Sequence, residues 1–380
     1  MIYLDNAATT YPKPENVYAA VDSASRNLAF NAGRGSYKMA HKGTVLMDSV
    51  RKKIKKLVKA SDSAITVLTP SATIAVNEIL GGIEFFEGDV VYVSPYEHNA
   101  IIRTLELIRK KRGIKVVEMP LKEETLEIDI SKLQYRFTVE RPKCVCMTHV
   151  SNVTGYILPV QEVFEMAKNY EAITVLDAAQ SIGLLEIDMM KYKADFLAFA
   201  AHKALYGIFG SGGFVSNEKV RLHEVLAGGT GTDSLNTSMP DSGEGRFEPA
   251  SPNIIAIAAL DSALDECMHD NVTIKQEKEL LEYLIEKLKK INGIKLYLPN
   301  DSTRIGMISF NVENYKSDDV GMILDQDYDI AVRTGYHCAP LIHKYLGNTT
   351  YLGTVRVSLG RYTSKRELDC LIDALKGIVE

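Results

Sequence analysis

The sequence lacks an excess of positive charge. Its 44 lysines and arginines are outnumbered by 49 aspartates and glutamates, which gives a net charge of −5 at pH 7. Such a chain has no global positive field to hold phosphodiester backbones by counterion release. The basic run at 51–56 is interrupted by apolar Ile54 and flanked by Val50 and Leu57 at helical spacing, so we interpret it as a solvated helix face. Nucleic acid is therefore not an expected partner.

Long apolar runs are also missing, and no secretory leader is expected. No run of about 18 apolar residues occurs, so no membrane-spanning helix is predicted. The first residues show no basic segment followed by an apolar one. Five scattered cysteines, an odd number, are expected to be reduced thiols, and the C-x-C pair at 144 and 146 lacks the usual metal-ligand spacing. We expect a cytoplasmic protein with no membrane partner and no metal.

The composition is that of an ordinary globular protein. Hydrophobic residues make up 46% and charged residues 24% of the chain, which excludes a disordered or fibrous protein. At 380 residues the chain is too long for one small core, so about two domains are expected.

Seven short runs rich in β-branched residues alternate with amphipathic stretches in the first half of the chain. The runs lie at 65–68, 90–94, 115–119, 144–148, 173–177, 196–199 and 213–216. This alternation predicts an α/β domain with a mostly parallel sheet flanked by helices. Because ligands bind such sheets at the carboxyl ends of the strands, the motifs just after strands are the first candidates for a binding site.

A long segment at 228–253, rich in Gly, Ser, Thr, Asp and Pro, separates this region from the rest. It predicts an ordered loop or a domain connection. Beyond it come helical patterns at 254–268 and 274–291, strands near Lys295, Ile308 and Val355, and a final helix at 365–378. The second part is predicted to be a smaller α+β domain.

Two residues that follow strands form a chemically suggestive pair. Asp177 ends one apolar strand, and Lys203 follows another. Pyridoxal phosphate needs both residue types, a lysine for the Schiff base and a carboxylate to keep the pyridine nitrogen protonated. Taken singly, a lysine after a strand is more often a surface residue, and a strand-end aspartate is more often a helix cap.

Several motifs occur together in the order of one known family. They are YLDNAATT at 3–10, NAGRG at 31–35, HVSNVTG at 149–155, DAAQ at 177–180, HK at 202–203, GGTGT at 228–232, EPASPN at 248–253 and RTGYHCAP at 333–340. The chain resembles the class V aminotransferases of the cysteine desulfurase and selenocysteine lyase branch. The resemblance implies the fold type I of pyridoxal-phosphate enzymes, with a large domain at 17–253 and a small one formed by 1–16 and 254–380.

The resemblance assigns the residues around the cofactor ring. It makes Lys203 the Schiff-base lysine, Asp177 the partner of the ring nitrogen, and Gln180 and Asn152 the neighbours of the ring hydroxyl. His98 matches the histidine that stacks on the ring and moves protons. A capping or core histidine remains the alternative for His98.

The resemblance also places residues near the cofactor phosphate. His202 and Thr73 match positions beside it, and Thr73 opens a helix whose free N–H groups suit an anion. Thr232 matches a residue that reaches across to the partner's phosphate, which implies a homodimer with shared sites. Ala200 stands where many relatives carry Ser or Thr, and 71–73 replace a more usual Gly-Thr-Thr run, so fewer hydroxyl contacts to the phosphate are expected.

Cys338 separates this branch from ordinary aminotransferases, because a transaminase has no need of a thiol beside its substrate. The resemblance implies that the Cys338 thiolate attacks the sulfur of L-cysteine and keeps it as a persulfide, with His337 or His98 lowering the thiol pKa or accepting its proton. Gly335 and Ala339 are expected to leave room for movement. Without the family, a buried inert cysteine would be the better interpretation.

Arg356 matches the arginine that grips the substrate α-carboxylate, since a planar fork suits a bidentate contact, with Asn152 beside it. A structural salt bridge is the alternative. The predicted function is a cysteine desulfurase that forms L-alanine and a persulfide for a sulfur-acceptor protein. A selenocysteine lyase acting on L-selenocysteine, another pyridoxal-phosphate aminotransferase or lyase, and a non-enzymatic binding protein remain as alternatives.

Overall fold

The structure is a computed structural model and describes residues 1–32, 35, 37–231, 235–268, 273–298 and 304–380. Within these residues it contains thirteen strands and eleven α-helices. The strands are β1 (Ile2–Tyr3), β2 (Ile65–Thr69), β3 (Val90–Val93), β4 (Lys115–Glu118), β5 (Pro142–Thr148), β6 (Ile173–Asp177), β7 (Phe196–Ala200), β8 (Gly212–Ser216), β9 (Ile294–Tyr297), β10 (Met307–Val312), β11 (Ile330–Ala331), β12 (Arg333–Gly335) and β13 (Thr354–Ser358). The helices are α1 (Glu15–Asn27), α2 (Lys38–Leu57), α3 (Ala72–Gly82), α4 (Asn99–Arg112), α5 (Ile130–Val139), α6 (Val160–Lys168), α7 (Ile254–Met268), α8 (Thr273–Leu288), α9 (Ser317–Tyr328), α10 (Ile342–Leu346) and α11 (Lys365–Val379).

The large sheet has seven strands in the order β2-β8-β7-β6-β5-β3-β4. Strand β8 runs antiparallel to both of its neighbours, and the other pairs are parallel. All seven strands predicted from the sequence are confirmed, with bounds that differ by at most two residues at one end. The prediction of a mostly parallel seven-stranded sheet flanked by helices is therefore confirmed.

Both faces of this sheet are buried, and successive residues of each strand alternate between them. In β5, Val145 and Met147 belong to the core under α2, α5, α6 and α7, whereas Cys144 and Cys146 face the core under α3 and α4. This alternation is the period of two that a β-strand imposes on its side chains. Helices on both sides explain why the central strands are apolar throughout.

The basic run at 51–56 lies in helix α2, as predicted. Ile54 is fully buried, but Arg51 and Lys53 are not simply solvated. Arg51 pairs with Glu248 of the long loop, and Lys53 pairs with Asp261 of α7 at 2.8 Å. The helical spacing was correctly interpreted, and tertiary packing turned two of its cations into ion pairs.

The smaller sheet is antiparallel, in the order β12-β13-β10-β9, and packs against α8, α9 and α11. The start of the chain joins this unit, since β1 pairs in parallel with β11 and Asp5 bridges to Ser358. Helix α7 instead contributes Ile257 and Leu260 to the core of the large sheet. The division of the chain into domains at 254 stays a prediction.

The segment 228–253 is irregular wherever it is described, apart from one 3-10 turn at Glu244–Arg246, which fits the predicted loop. No helix in the described part of the chain combines the length and apolarity needed to cross a membrane. All five cysteines are free thiols.

Candidate active site

The carboxyl ends of β3, β5, β6 and β7 meet at one edge of the large sheet, where helix α3 also begins. At this edge, closed by residues of the N-terminal segment and by Arg333 and Cys338, lies a cavity of about 220 Å³, which we call the strand-end cavity. Its lining residues are Ala7, Ala8, Ser71, Ala72, Thr73, Val76, His98, Ala100, Thr148, Asn152, Asp177, Ala179, Gln180, Ala200, His202, Lys203, Arg333 and Cys338. Eight of the ten residues predicted for the site are thus brought together.

Asp177 and Lys203 both line this cavity, as the sequence predicted. Asp177 is buried at the end of β6, and its Oδ1 accepts a hydrogen bond from the N–H of Ala179 (2.9 Å). Burial lowers the pKa of Lys203, and the charge of Asp177 partly opposes this shift. A lysine with a lowered pKa has a larger fraction of neutral amine, which is the form that attacks a carbonyl.

The backbone that carries Lys203 is tied to the start of the chain. The hydroxyl of Thr10 donates to the carbonyl oxygen of Lys203 at 3.1 Å, and the amine of Lys13 donates to that of His202 at 2.9 Å. The N-terminal segment therefore holds the backbone at Lys203 in place through these hydrogen bonds.

His98 caps helix α4 and lines the cavity at the same time. Its Nδ1 accepts a hydrogen bond from the N–H of Ala100 at 3.0 Å, so in the neutral ring the proton sits on Nε2. Burial, together with the positive charge of Lys203, lowers the pKa of His98 to about 4. The capping interpretation and the site interpretation of His98 are therefore compatible.

The start of helix α3 offers a cradle for an anion. Ser71 caps the helix by accepting from the N–H of Ile74 (3.3 Å), and Thr73 in the first turn lines the cavity. A Cβ on Gly212 would lie 2.9 Å from the backbone nitrogen of Ala72, so this glycine lets the helix begin directly against β8. Free N–H groups at a helix start favour a phosphate.

His202 lines the same cavity. Its ring stacks on Phe209 with centroids 4.4 Å apart, and its Nδ1 is buried without a hydrogen-bond partner among the described residues. Burial, aided by Lys203 and Lys13, lowers the pKa of His202 to about 4. The orphaned nitrogen fits a ligand that supplies the missing partner. Thr232, the predicted partner-facing residue, lies outside the described residues.

Two amide side chains join separate segments at the cavity wall. The Nε2 of Gln180 donates to the carbonyl oxygen of Ala7 at 2.9 Å, and the Nδ2 of Asn152 donates to that of His337 at 2.6 Å. The loops after β5 and β6 are thus linked to the N-terminal segment and to the turn that carries Cys338.

Cys338 lies on a turn in which two consecutive residues have left-handed backbone conformations, His337 (φ +48°) and Cys338 (φ +56°). The carbonyl oxygen of Cys338 accepts from the N–H of Asn99 at 2.7 Å, which ties the turn to α4. Ala339 is fully buried in the core of the large sheet. A Cβ on Gly335, in contrast, would meet nothing within 4 Å. The expectation that Gly335 and Ala339 leave room for movement stays a prediction.

His337 does not line the cavity. Its Nε2 lies 2.8 Å from the hydroxyl of Thr354, and burial holds its pKa well below the usual value. Of the two histidines expected to assist the thiol, His98 is the one that faces the same cavity as Cys338.

Arg333 is a cavity residue that the sequence analysis missed. Its Nη2 donates to the Sγ of Cys338 at 3.4 Å. The sequence did hold a signal for this residue, because Arg333 is the first residue of the RTGYHCAP motif at 333–340 and precedes Cys338 by five positions. An isolated arginine in a strand gives no hint of the direction of its side chain.

Arg356, in contrast, is fully buried and does not line the cavity. Its Nη2 pairs with Oδ1 of Asp5 at 2.6 Å, and its Nη1 donates to the carbonyl oxygen of Asn152 at 2.8 Å. It lies opposite Arg333 in the pairing of β12 with β13, so two guanidinium groups occupy neighbouring strands beside the cavity.

The chain belongs to the class V aminotransferase family, whose model, described as Aminotransferase class-V, matches residues 2–371. Enzymes of this family use pyridoxal phosphate. Among its relatives, a probable cysteine desulfurase of Halalkalibacterium halodurans is 33% identical over 388 residues, which cover 99% of this chain and 92% of the relative. A cysteine desulfurase of Pectobacterium carotovorum is 31% identical and covers 100% and 93%. The apo structure of a cysteine desulfurase from Thermococcus onnurineus superimposes with a TM-score of 0.88 at 29% identity, covering 100% and 94%.

Proposed function

We propose that this protein is a pyridoxal-phosphate-dependent cysteine desulfurase, which converts L-cysteine to L-alanine and takes the sulfur as a persulfide on Cys338. The observation that carries the proposal is that Lys203, Asp177 and Cys338 line one cavity. A lysine and a carboxylate suit the cofactor, and a thiol in the same cavity suits sulfur transfer. The full-length similarity to cysteine desulfurases supports the same conclusion.

The residues at the strand ends fit the cofactor. Lys203 would hold it covalently, Asp177 would pair with the ring nitrogen, and Gln180 and His98 would contact the ring. The start of α3 at Thr73 and the unpartnered Nδ1 of His202 would meet the phosphate. When bound, pyridoxal phosphate supplies the electron sink that acidifies the substrate α-proton and allows the carbon–sulfur bond to break.

The substrate carboxylate is assigned to the two guanidinium groups on β12 and β13. Arg333 lines the cavity. Arg356 donates to the carbonyl oxygen of Asn152, a cavity residue, and pairs with Asp5 in this structure. Arginine suits this role because its planar fork binds a carboxylate with two parallel hydrogen bonds.

Sulfur transfer is assigned to Cys338. Its thiolate forms the new sulfur–sulfur bond as the carbon–sulfur bond of the substrate breaks. The bonding electrons stay with the carbon, which takes a proton and leaves as the methyl group of alanine. His98 is neutral near pH 7 and carries its proton on Nε2, so it can donate a hydrogen bond within the cavity.

The test measures alanine and persulfide from L-cysteine in a single turnover, with L-selenocysteine in parallel. Wild type is compared with Cys338→Ala, and Cys370→Ala at an exposed position on α11 serves as the matched control. We expect both products with wild type and the control, and neither from cysteine with Cys338→Ala. Turnover of selenocysteine alone would make the protein a selenocysteine lyase, and full activity of Cys338→Ala on cysteine would reject the persulfide step.

We further propose a homodimer, a cytoplasmic location and a sulfur-acceptor protein as partner. The exposed aromatic ring of Phe209, 64% exposed while it stacks on His202, supports coverage of this side of the site by a second chain. Five free thiols support a reducing compartment. Sedimentation equilibrium tests the dimer, and a monomer at micromolar concentration would contradict it.

A further inference from the structure

A fully buried carboxyl group stands directly beside the candidate site without lining it. Glu97 precedes His98, its side chain has 0% exposure, and it is absent from the wall of the strand-end cavity. Burying a carboxyl group is costly unless its hydrogen bonds are made. The position of Glu97 therefore needs an explanation, and the proposed chemistry does not use it.

The contacts of Glu97 join the ends of two neighbouring strands. Its Oε1 accepts from the backbone N–H of Thr148, the last residue of β5, at 2.7 Å, and also from the hydroxyl of Ser94, just after β3. The pairing of β3 with β5 ends at Val93 and Cys146. Beyond that point the chain after β3 turns away, and the Glu97 carboxyl takes the place of the lost backbone acceptor.

Two residues of the cavity wall depend on this contact. Thr148 lies opposite Asp177 in the pairing of β5 with β6 and donates from its hydroxyl to the carbonyl oxygen of Val150 at 3.0 Å. His98 is the residue that follows Glu97 and caps α4. A shift of the carboxyl would move the strand end beside Asp177 and the histidine together.

The second carboxyl oxygen indicates which form Glu97 takes. Oε2 is buried and has no hydrogen-bond partner among the described residues. Burial raises the pKa of Glu97 to about 8, and the nearby charge of Asp177 adds to the shift. The neutral acid is therefore the form of Glu97 that this buried position favours.

We propose that Glu97 is a positioning residue, whose buried carboxyl group ties the ends of β3 and β5 together and thereby fixes His98 and Thr148 against the cofactor and substrate. The proposal rests on the proposed function only for its turnover measurement. An amide of the same shape can accept the same two hydrogen bonds through its oxygen, whereas an apolar side chain cannot. The carboxyl's acceptor oxygen, and not its charge, is the feature that matters.

The experiment compares Glu97→Leu and Glu97→Gln in the full-length protein loaded with pyridoxal phosphate. Glu78→Leu is the matched control, because Glu78 is also buried with an unpartnered Oε2 but lies in α3 outside the strand-end cavity. The readouts are kcat and KM for alanine formation, and the pH midpoint of the cofactor's visible absorption band.

For Glu97→Leu we expect kcat to fall by about tenfold or more while KM changes less than about threefold. We also expect the absorption midpoint to move by about half a pH unit or more, since His98 and Asp177 shift relative to the ring. Glu97→Gln should restore both values to within about threefold and about 0.2 pH unit. Glu78→Leu should leave both unchanged.

The proposal would be overturned if Glu97→Leu and Glu78→Leu had equal effects. It would also be overturned if Glu97→Gln were as impaired as Glu97→Leu. If Glu97→Leu fails to fold, Ser94→Ala decides the question, because it removes one of the two hydrogen bonds and should move both readouts in the same direction by a smaller amount. If wild type makes no alanine, the proposed function fails, and the absorption midpoints alone then decide the role of Glu97.

Discussion

The guanidinium group of Arg333 in β12 donates a hydrogen bond across 3.4 Å to the sulfur of Cys338, which lies on the turn that follows this strand. This hydrogen bond holds the sulfur of Cys338 at the wall of the strand-end cavity. The same guanidinium faces the cavity and is available to the substrate carboxylate.

Arg333→Leu should therefore release the Cys338 sulfur from its position at the cavity wall. We expect persulfide formation on Cys338 from L-cysteine to slow by about tenfold, with a smaller loss for Arg333→Lys, which keeps a donor. Mass spectrometry of the modified peptides measures the rate, and the exposed Cys370 in the same molecule is the internal control. An unchanged rate at Cys338 would show that the arginine does not influence the thiol.

The ion pair between Asp5 and Arg356 should be important for stability. The Arg356 side chain is fully buried, so Asp5→Ala leaves a buried charge without its partner and should cost about 3 kcal/mol. Adding Arg356→Met should restore at least about half of that loss, because the buried charge is then gone. Urea unfolding of the cofactor-free protein gives the double-mutant cycle, and a cost of Asp5→Ala below about 1 kcal/mol would refute the argument.

His149 should make stability depend on pH. Burial lowers its pKa in the folded state to about 4, below the value of an exposed histidine, so the unfolded chain binds more protons between these two values. The free energy of unfolding of wild type should therefore fall by about 2 kcal/mol more than that of His149→Gln from pH 7 to pH 5. Urea unfolding at both pH values measures this difference. An equal fall of the unfolding free energy in wild type and His149→Gln would contradict the argument. His41→Gln, at an exposed position, controls for the substitution.

Gly353 should tolerate no side chain. Its φ is +111°, and a Cβ would lie 2.3 Å from backbone atoms of Gly335, at the end of β12 before the turn of Cys338. Gly353→Ala should cost about 2 kcal/mol or more and slow sulfur transfer. Gly347→Ala is the matched control, because φ is also positive there but a Cβ meets open space, so it should cost about 1 kcal/mol. Similar costs for both variants would rule out the close approach as the cause.

Much of the fold could be predicted because its signals are local. The seven strands of the large sheet are short apolar runs bounded by polar stretches, and the helix α7 was predicted at its observed bounds, Ile254–Met268. Asp177 and Lys203 were placed at one edge because the carboxyl ends of parallel strands must meet there. These inferences need only periodicity and chain order.

Other features depend on contacts between distant segments. The sequence could not show that Arg356 lies behind the cavity and is paired with Asp5, a residue 351 positions away. It also could not show that the ring of His337 is held by Thr354 while Arg333 reaches the sulfur. The direction of each side chain follows from the pairing of β12 with β13 and from packing against the N-terminal segment.

The sequence by itself determined the family, the order of the strands along the chain and the residue types that the chemistry requires, because these are properties of local pattern and motif. Only the tertiary structure decided which of those residues share a cavity and which are buried behind it. It also decided that Glu97 joins two strand ends. The physical reason is that burial and hydrogen-bond partners are set by neighbours in space, and a single sequence orders neighbours only along the chain.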